Sequence, residues 1–310
     1  MSRPAEITAF APATVANLGP GLDVLGLALA APGDRVTARY AEGPGVTIAK
    51  VTGDGSALPL DPATNTAGIA ATATLARAGI ATGVSLTLIK GMPIGSGLGS
   101  SAASAAAAAY AVNLLIGSPL RKVELVGPCL EAEAAVSGRH ADNVAAALLG
   151  GLILVRSIDP LDLVRLPVPD GLVVVVVTPK MELSTRAARA ALPKDVPLGS
   201  LVRNTAQIAA FVSACYSGDL ALLGRSMTDA VATPARTPLI PGCAEVIEAA
   251  LDAGALGSSI SGAGPSIFAL CRSERSAAEV AAGMVAAFAA NGLSADAVVS
   301  PADCPGARRA

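Results

Sequence analysis

A glycine-rich segment from Pro93 to Ala109, PIGSGLGSSAASAAAAA, carries the most specific chemical pattern in the chain. Its three glycines stand at alternate positions and allow backbone conformations that other residues rarely adopt, and the alanines that follow favour a helix. The segment predicts a loop that leads into a helix capped by Ser100 and Ser101. A helix N-terminus offers unpaired N–H groups and a positive dipole end, so we expect a phosphate site here. On residue types alone, a helix start that only packs closely against a neighbour remains an alternative.

The spacing excludes or disfavours two common nucleotide loops. A P-loop requires GxxxxGK[ST], and no glycine in this chain is followed by Lys and then Ser or Thr. A dinucleotide fingerprint requires Gly or Ala where Ser100 stands and an acidic residue about 20 positions later, where residues 111–120 contain none. The remaining interpretation is a triphosphate cradle of backbone amides with the hydroxyls of Ser100 and Ser101, which suit magnesium as well.

Composition narrows the class of protein. The chain has 310 residues, 52% of them hydrophobic, which predicts a large core and two domains. Its net charge of -2 and scattered Lys and Arg residues argue against nucleic acid or an anionic membrane as partner. Five widely spaced cysteines indicate neither a disulfide framework nor a zinc site, and favour a reducing cytoplasm. The segment MSRPAEITAF lacks the apolar core of a signal peptide, and no stretch approaches the roughly 20 apolar residues of a membrane span.

The first half of the chain predicts a mixture of strands and helices. We expect strands over Glu6–Ala13 and Asp34–Tyr40, separated by a loop that contains NLGPGLDVLGLAL. Further strands are expected over Val84–Lys90 and Leu152–Val155, and helices over Asn65–Gly79, Ser101–Ile116, Lys122–Ala135 and Val144–Leu149. A proline-interrupted connector, Pro160–Pro169, then predicts a domain boundary.

The second half opens with LVVVVVT, whose unbroken β-branched run predicts a central strand covered on both faces. The other expected elements are helices over Leu201–Ser217, Leu220–Asp229, Cys243–Ala253 and Ala277–Asn291, and strands over Gly257–Ile260, Ser266–Cys271 and Ala297–Val299. The predicted fold class is α+β, with domains at residues 1–167 and 168–310.

Three motifs in chain order resemble those of the GHMP kinases: PATVANLGPGLDVLGLAL, PIGSGLGSSAA and ISGAGPSIFAL. Within that superfamily, NLGPGLDVLGLAL, SGRHADNVAAALLGG and TPARTPLIPG are most similar to the homoserine kinase branch. The resemblance covers essentially the whole chain. It implies a two-domain GHMP kinase fold, with a ribosomal protein S5 domain 2-like N-terminal domain and a ferredoxin-like C-terminal domain.

The resemblance implies a cytoplasmic, homodimeric enzyme of threonine biosynthesis that uses ATP and Mg²⁺ to phosphorylate the side-chain hydroxyl of L-homoserine. Two alternatives stay open: a GHMP kinase that acts on mevalonate or L-threonine, and a nucleotide-binding sensor without activity. Mevalonate has no ammonium group, so the pairing of Arg189 and Arg236 with Asp23 favours an amino acid. Retention of Ser101, Glu133 and both glycine loops argues against the sensor.

The resemblance also assigns residues to the nucleotide and the metal ion. The phosphate loop, which we define as residues 93–102, contributes Pro93, Gly95, Ser96, Gly97, Leu98, Gly99, Ser100, Ser101 and Ala102. Family positions near the adenine are matched by Asn65, Thr66 and Lys90. Magnesium is assigned to Ser101 and Glu133, with Glu131 as the local alternative to Glu133.

The implied substrate residues suit a zwitterion. Arg189 and Arg236 match the family arginines that grip the substrate carboxylate, a task for which the guanidinium fork is well shaped. Asp23 matches the carboxylate that receives the ammonium group. The family also places three further residues beside the substrate, namely His140, Asp142 and Gly262. Between Ser137 and His140 the chain is one residue shorter than the family pattern.

The implied catalytic residues are Asn143 and Asn17, which orient the substrate hydroxyl. Many GHMP kinases carry an aspartate base at the position of Asn143, whereas the homoserine kinase branch also has Asn. An amide is not a useful proton acceptor, so the resemblance implies direct transfer driven by positioning and charge neutralisation.

Overall fold

The computed structural model describes residues 4–310 and forms an α+β fold with two sheets. Residues 1–3, the start of the segment discussed above for a signal peptide, lie outside the described residues. The strands of the larger, seven-stranded sheet are β1 (Glu6–Ala16), β2 (Leu25–Ala41), β3 (Gly45–Thr52), β4 (Gly83–Ile89), β5 (Leu152–Ile158), β6 (Leu161–Leu166) and β11 (Arg308–Arg309). Its helices are α1 (Thr66–Ala78), α2 (Ser100–Leu115), α3 (Val126–Val136) and α4 (Asp142–Leu149), with a short 3₁₀ segment over Lys122–Leu125 before α3.

The larger sheet runs in the order β11-β1-β2-β4-β3, and β5 pairs with both β2 and β6. All of its pairings are antiparallel except that of β3 with β4. The alanine-rich α2 packs against β1 and β2, and almost its whole length is buried. Alanine side chains allow this close approach, which places the start of α2 beside the ends of several strands.

The smaller sheet has four antiparallel strands in the order β10 (Ala295–Pro301), β7 (Val173–Pro179), β9 (Ile267–Cys271) and β8 (Gly257–Ile260). Along β7, Val173, Val175 and Val177 belong to one core cluster. Val174 and Val176 belong to another. The prediction of a central strand covered on both faces is therefore confirmed.

The remaining helices are α5 (Thr185–Ala190), α6 (Leu198–Ser217), α7 (Leu220–Arg225), α8 (Ala232–Arg236), α9 (Cys243–Asp252) and α10 (Glu274–Ala290). The short helices α5 and α8 were not predicted from the sequence. Each contributes an arginine, Arg189 or Arg236, to the cavity described below. No helix within residues 4–310 has the length and apolar character needed to cross a membrane. All five cysteines are free and buried.

Two predictions about strands are wrong, and a third strand was not predicted. The stretch from Leu25 to Gly33 belongs to β2 and is not loop, because it pairs with β1 and β5 in spite of its glycines and Pro32. The expected connector Pro160–Pro169 contains β6, an edge strand that pairs only with β5 among the described strands. Edge strands tolerate flanking prolines, and the prolines on either side of β6 made this segment resemble a connector. The edge strand β3 gave no recognised signal either.

Candidate active site

The residues assigned from the sequence meet in one cavity of about 550 Å³, at the N-terminal end of α2. They all line it except Pro93, Leu98 and Ala102. Leu98 and Ala102 are buried in the core, and Pro93 is exposed with its carbonyl accepting a hydrogen bond from Ser96. The side chains of these three residues therefore lie outside the cavity, and only their backbone can contribute to it.

The phosphate loop has the backbone that its glycines predict, with φ angles of 66°, 79° and 66° at the three alternate glycines. Gly99 is the N-cap of α2, so no side chain at this position accepts a hydrogen bond from the first turn of the helix. The prediction that Ser100 and Ser101 cap the helix is wrong, because the helix begins at Ser100 and the Ser101 hydroxyl donates to Glu133. The N–H groups of Ser100, Ser101 and Ala102 make no hydrogen bond within residues 4–310. They leave an open, positively polarised helix end.

A second glycine-containing loop, residues 261–266 between β8 and β9, packs directly on the phosphate loop. Ser261 Oγ donates to the carbonyl of Gly97 at 2.7 Å, and Ser266 Oγ donates to the carbonyl of Ser96 at 2.6 Å. A Cβ atom on Gly97 would lie 2.6 Å from the Ser261 carbonyl oxygen. Glycine at this position is therefore required for the two loops to meet.

Glu133 on α3 faces the first turn of α2. Its side chain is buried, and its two oxygens lie 3.0 and 2.9 Å from Ser101 Oγ. Burial raises the pKa of Glu133, and the hydrogen bonds from Ser137 and Ser101 oppose this rise. The neighbouring Glu131 is exposed and does not line the cavity.

The oxygens of Ser101 and Glu133 fit a magnesium ion. Two adjacent ligands of an octahedral Mg²⁺ with bonds of about 2.0–2.1 Å lie about 2.9 Å apart, close to the separation between these groups. No group of three or more His, Cys, Asp or Glu side chains within residues 4–310 is arranged to hold a metal ion. One carboxylate and one hydroxyl suit a cation that completes its coordination with water and substrate phosphates.

Lys90 lies beneath the phosphate loop at the end of β4. Its buried ammonium group pairs with Asp34 and donates to Ser104 Oγ and to the carbonyl of Ser100, each at 2.9 Å. All three N–H groups thus have an acceptor. Burial lowers the pKa of Lys90, and the charge of Asp34 opposes this effect. The ammonium group therefore braces the start of α2, and only the rest of the side chain is left to face a nucleotide.

Asn143, in the first turn of α4, has its amide orientation fixed by Thr14. The Thr14 hydroxyl donates to Asn143 Oδ1 at 2.7 Å, and the Thr14 N–H donates to the carbonyl of Leu98 at 3.0 Å. Because Oδ1 is the acceptor, Nδ2 is the amide group left to donate into the cavity. A Cβ atom on Gly99 would lie 2.7 Å from Asn143 Oδ1. Asn143 is therefore in direct packing contact with the phosphate loop.

Asp23 and Arg189 form a bidentate ion pair, with both N···O distances 2.8 Å. Burial alone would raise the pKa of Asp23, but the hydrogen bonds from Arg189 and the nearby positive charges hold it below its ordinary value. Arg189 Nη2 also lies 2.8 Å from His140 Nε2, which must accept because a guanidinium only donates. The His140 proton is thus on Nδ1, 3.5 Å from Asp23, and burial lowers the pKa of His140.

Arg236 ends α8 and is only 3% exposed. It donates from Nη1 to the carbonyl of Gly262 at 2.7 Å and from Nε to the carbonyl of Ala188 at 3.3 Å. Asn17 Nδ2 donates to the same Gly262 carbonyl at 2.9 Å, and Asn17 Oδ1 accepts from the N–H of Asp23. Gly262 thus joins the second glycine loop to an arginine and to the turn that carries Asp23.

The far end of the cavity is lined by Leu58, Pro59, Asn65 and Thr66. Asn65 is the N-cap of α1, where its Oδ1 accepts from Ala67 N–H and its Nδ2 donates to the Pro59 carbonyl. Its amide therefore shapes this end of the cavity, and the largely apolar surface beside it suits a flat base.

Asp142 gives the site a pH-sensitive group. Burial, and secondly the charge of Asp23, raise its pKa from 3.8 to about 7. Between these values the folded state holds a proton that the unfolded state has released, so the free energy of unfolding falls as pH rises from about 4 to 7. The slope is at most about 1.4 kcal/mol per pH unit.

Asp142→Asn removes this titration, so we expect the stability of the variant relative to wild type to increase as pH rises from 5 to 8. Urea unfolding of both proteins at the two pH values, without substrates, measures the difference. A difference that does not change with pH would contradict the raised pKa.

Several cavity or supporting residues had no sequence signal. Thr14 lies in the first family motif and Ser104 in the alanine-rich segment, but neither these patterns nor the sequence around Asp34 assigned a role to the three residues. The antiparallel register that opposes Arg35 to Ile89 brings Asp34 next to Lys90, so a prediction would have needed the pairing of β2 with β4. Arg186, three residues before Arg189 on α5, also lines the cavity, although no role was assigned to it from the sequence.

Known proteins share the sequence and the fold of this chain. The family description for the GHMP kinases N terminal domain matches residues 65–151, and that for the GHMP kinases C terminal domain matches residues 211–290. A homoserine kinase from Chlorobaculum tepidum is 45% identical over 97% of this chain and 97% of its own. One from Arabidopsis thaliana is 48% identical over 91% of this chain and 78% of its own. The crystal structure of homoserine kinase from Cytophaga hutchinsonii has a TM-score of 0.97 and 45% identity, and covers 100% of this chain and 99% of its own.

A two-domain α+β fold with a phosphate loop at a helix N-terminus defines a small-molecule kinase of the GHMP class. The chain belongs to the GHMP kinases and, within them, to the homoserine kinase branch. The resemblance and the fold class drawn from the motifs are thereby confirmed. The division at residues 167 and 168 falls between the two matched segments and stays a prediction.

Proposed function

We propose that this chain transfers the γ-phosphoryl group of ATP to the side-chain hydroxyl of L-homoserine and yields O-phospho-L-homoserine for threonine biosynthesis. The observation that carries the proposal is one cavity that combines an open helix N-terminus with an acidic and two basic side chains suited to an amino acid. The full-length similarity to homoserine kinases supports the same activity.

The triphosphate is assigned to the phosphate loop. The free N–H groups of Ser100, Ser101 and Ala102 point along the dipole of a 16-residue helix, which stabilises negative charge without a side-chain cation. The side-chain nitrogen of Lys90 lies beneath the same turn and is paired with Asp34. Its proposed role is to hold the carbonyl of Ser100 and so fix the direction of the amides.

Ser101 and Glu133 would hold Mg²⁺. When bound, the ion would neutralise charge on the phosphate oxygens. Glu133 is kept in place by Ser137, one turn further along the chain, and by the packing of α3 against α2. The carboxylate is therefore preorganised, because these contacts hold it in position before any ligand binds.

The amino acid is assigned to the charged end of the cavity. Its ammonium would replace Arg189 on Asp23, and its carboxylate would take the guanidinium groups of Arg189 and Arg236. Arg189 Nε supports this exchange, because it is buried and has no hydrogen-bond partner within residues 4–310. The hydrogen bond from Arg189 to His140 would hold the guanidinium plane during the exchange.

The substrate hydroxyl is assigned to Asn143. Thr14 directs the Nδ2 group of this residue toward the cavity, where it can donate to an oxygen of the hydroxyl or the transferring group. Asn17 has both ends of its amide engaged with Gly262 and Asp23, so its proposed contribution is to hold the turn around the substrate. Transfer then depends on alignment, which is consistent with a loose transition state that needs little deprotonation of the nucleophile.

Asn143→Ala is expected to lower kcat by about 10- to 100-fold while the KM for ATP stays within about twofold, because the amide contacts the transferring end and not the nucleoside. Thr14→Val, which removes the hydroxyl that orients the amide, should lower kcat in the same direction. Steady-state kinetics with each substrate varied in turn would measure both. Unchanged turnover in Asn143→Ala would remove the residue from the mechanism.

The activity is tested by ADP release from the purified protein with homoserine, mevalonate or L-threonine as acceptor, with and without Mg²⁺. We expect release that depends on homoserine and on Mg²⁺, with phosphate found on the side-chain oxygen. A preference for mevalonate or threonine would identify another GHMP kinase. Nucleotide binding without turnover on any acceptor would favour the sensor.

We further propose that the protein is a cytoplasmic homodimer. Five buried, free thiols are consistent with a reducing compartment. Sedimentation analysis of the purified chain would measure the assembly.

A further inference from the structure

Two polar side chains outside the cavity connect α6 to the start of α8. Asn204 on α6 donates from Nδ2 to Asp229 Oδ1 at 2.8 Å, and its Oδ1 accepts from the N–H of Ala230 at 2.8 Å. Asp229 is buried and Asn204 half-buried. Neither lines the cavity, so neither contacts a substrate there. We call this pair the Asn204–Asp229 clamp.

Asp229 also holds the first turn of α8. Its Oδ1 accepts from the N–H of Val231 at 2.9 Å and its Oδ2 from the N–H of Thr233 at 2.5 Å. The helix has only five residues, Ala232–Arg236. A helix of this length is not stable by itself, so its position depends on such anchors.

The other end of α8 carries Arg236. Thr233, whose N–H is held by Asp229, is three residues before this arginine, or about 4.5 Å along the helix at a rise of about 1.5 Å per residue. The guanidinium fits a tight site, with one donor on the Gly262 carbonyl and another on that of Ala188. Burial lowers the pKa of Arg236, and the charge of Asp229 is among those that oppose this effect. A small displacement of α8 would break the alignment of the guanidinium with the cavity.

We propose that the Asn204–Asp229 clamp is a positioning device that sets Arg236 for the carboxylate of the amino-acid substrate. The identity of that substrate rests on the proposed function, whereas the control of α8 does not. The clamp acts through Arg236, so its loss should weaken recognition of the amino acid and leave the nucleotide end of the cavity intact.

Asp229→Ala in the full-length protein tests whether the clamp affects recognition of the amino acid and not of the nucleotide. We expect the KM for homoserine to rise about tenfold, which corresponds to about 1.4 kcal/mol, while the KM for ATP stays within about twofold. Asp229→Asn should have a smaller effect, because the remaining oxygen can still accept from one amide. The matched control is Asp219→Ala. Asp219 is the N-cap of the neighbouring α7, where its Oδ1 accepts a hydrogen bond from the N–H of Leu222, and the substitution removes this cap. It should leave both KM values unchanged.

Amide hydrogen exchange over residues 231–237 gives a second readout that does not require turnover. Exchange should be faster in Asp229→Ala and in the milder Asn204→Ala, and unchanged in Asp219→Ala. Unchanged exchange in both clamp variants, or an equal rise of both KM values, would overturn the proposal. If wild type failed to phosphorylate homoserine, the proposed function would be wrong, and the exchange result would still decide whether the clamp holds α8.

Discussion

Glu133→Gln is expected to lower kcat by at least about 100-fold, because it replaces the one buried carboxylate that faces Ser101 by an uncharged group of the same shape. Gln keeps the volume and can still accept from Ser101 and Ser137, so the fold should survive. The loss would therefore reflect charge at the metal position. Turnover measured over a wide range of Mg²⁺ concentrations should show a higher Mg²⁺ requirement as well as a lower maximum.

Glu131→Gln provides the matched control, since it removes the same charge from the same helix at an exposed position. Its turnover and Mg²⁺ dependence should equal those of wild type. If the two variants lost activity equally, or if only Glu131→Gln did, the assignment of Glu133 would be wrong.

The sequence predicted the phosphate loop because its chemistry is local. Alternating glycines and the following alanines specify a loop and a helix within a single segment, and the φ angles agree with that prediction. The serine caps were predicted wrongly for a tertiary reason. Ser101 is recruited by Glu133, a residue 32 positions away, so its local capping tendency is overridden.

The central strand β7 was predictable because burial on both faces requires an unbroken apolar run, and the valines of this strand provide one. The edge strands β3 and β6 were missed, since edge strands need no such pattern. Prolines and glycines likewise concealed the first half of β2. In each case, the pairing partner decided the structure more than the strand's own sequence did.

Within the site, the family motifs identified residues that face the substrates, but they did not show which other residues hold these side chains in place. Thr14 orients Asn143, Asp34 pairs with Lys90, and Asp229 anchors α8, and each acts across a distance in sequence that only the fold closes. The motifs therefore located the cavity, whereas the strand register and the packing of the helices determine where each side chain in it is held.

Gly99→Ala is expected to reduce kcat below about 1% of wild type, since a misplacement of about 1 Å in an active site can cost about 100-fold. Gly99 has a φ of 66°, and a Cβ atom there would overlap Thr14 Oγ1 and lie 2.7 Å from Asn143 Oδ1. The added methyl group would displace the amide of Asn143 and the start of α2 together. Kinetics of the folded variant, checked first by circular dichroism, would measure the loss.

Gly79→Ala separates this steric effect from backbone strain. Gly79 ends α1 with the same φ of 66°, but a Cβ atom there would meet no heavy atom within 4 Å. Both variants bear the strain of an alanine in the left-handed region, about 1 kcal/mol, so both should unfold at a lower temperature than wild type. Only Gly99→Ala should lose turnover, because only there does the new methyl group reach the residues that align the substrate. Comparable kcat values in the two variants would show that contact between the phosphate loop and Asn143 does not govern transfer.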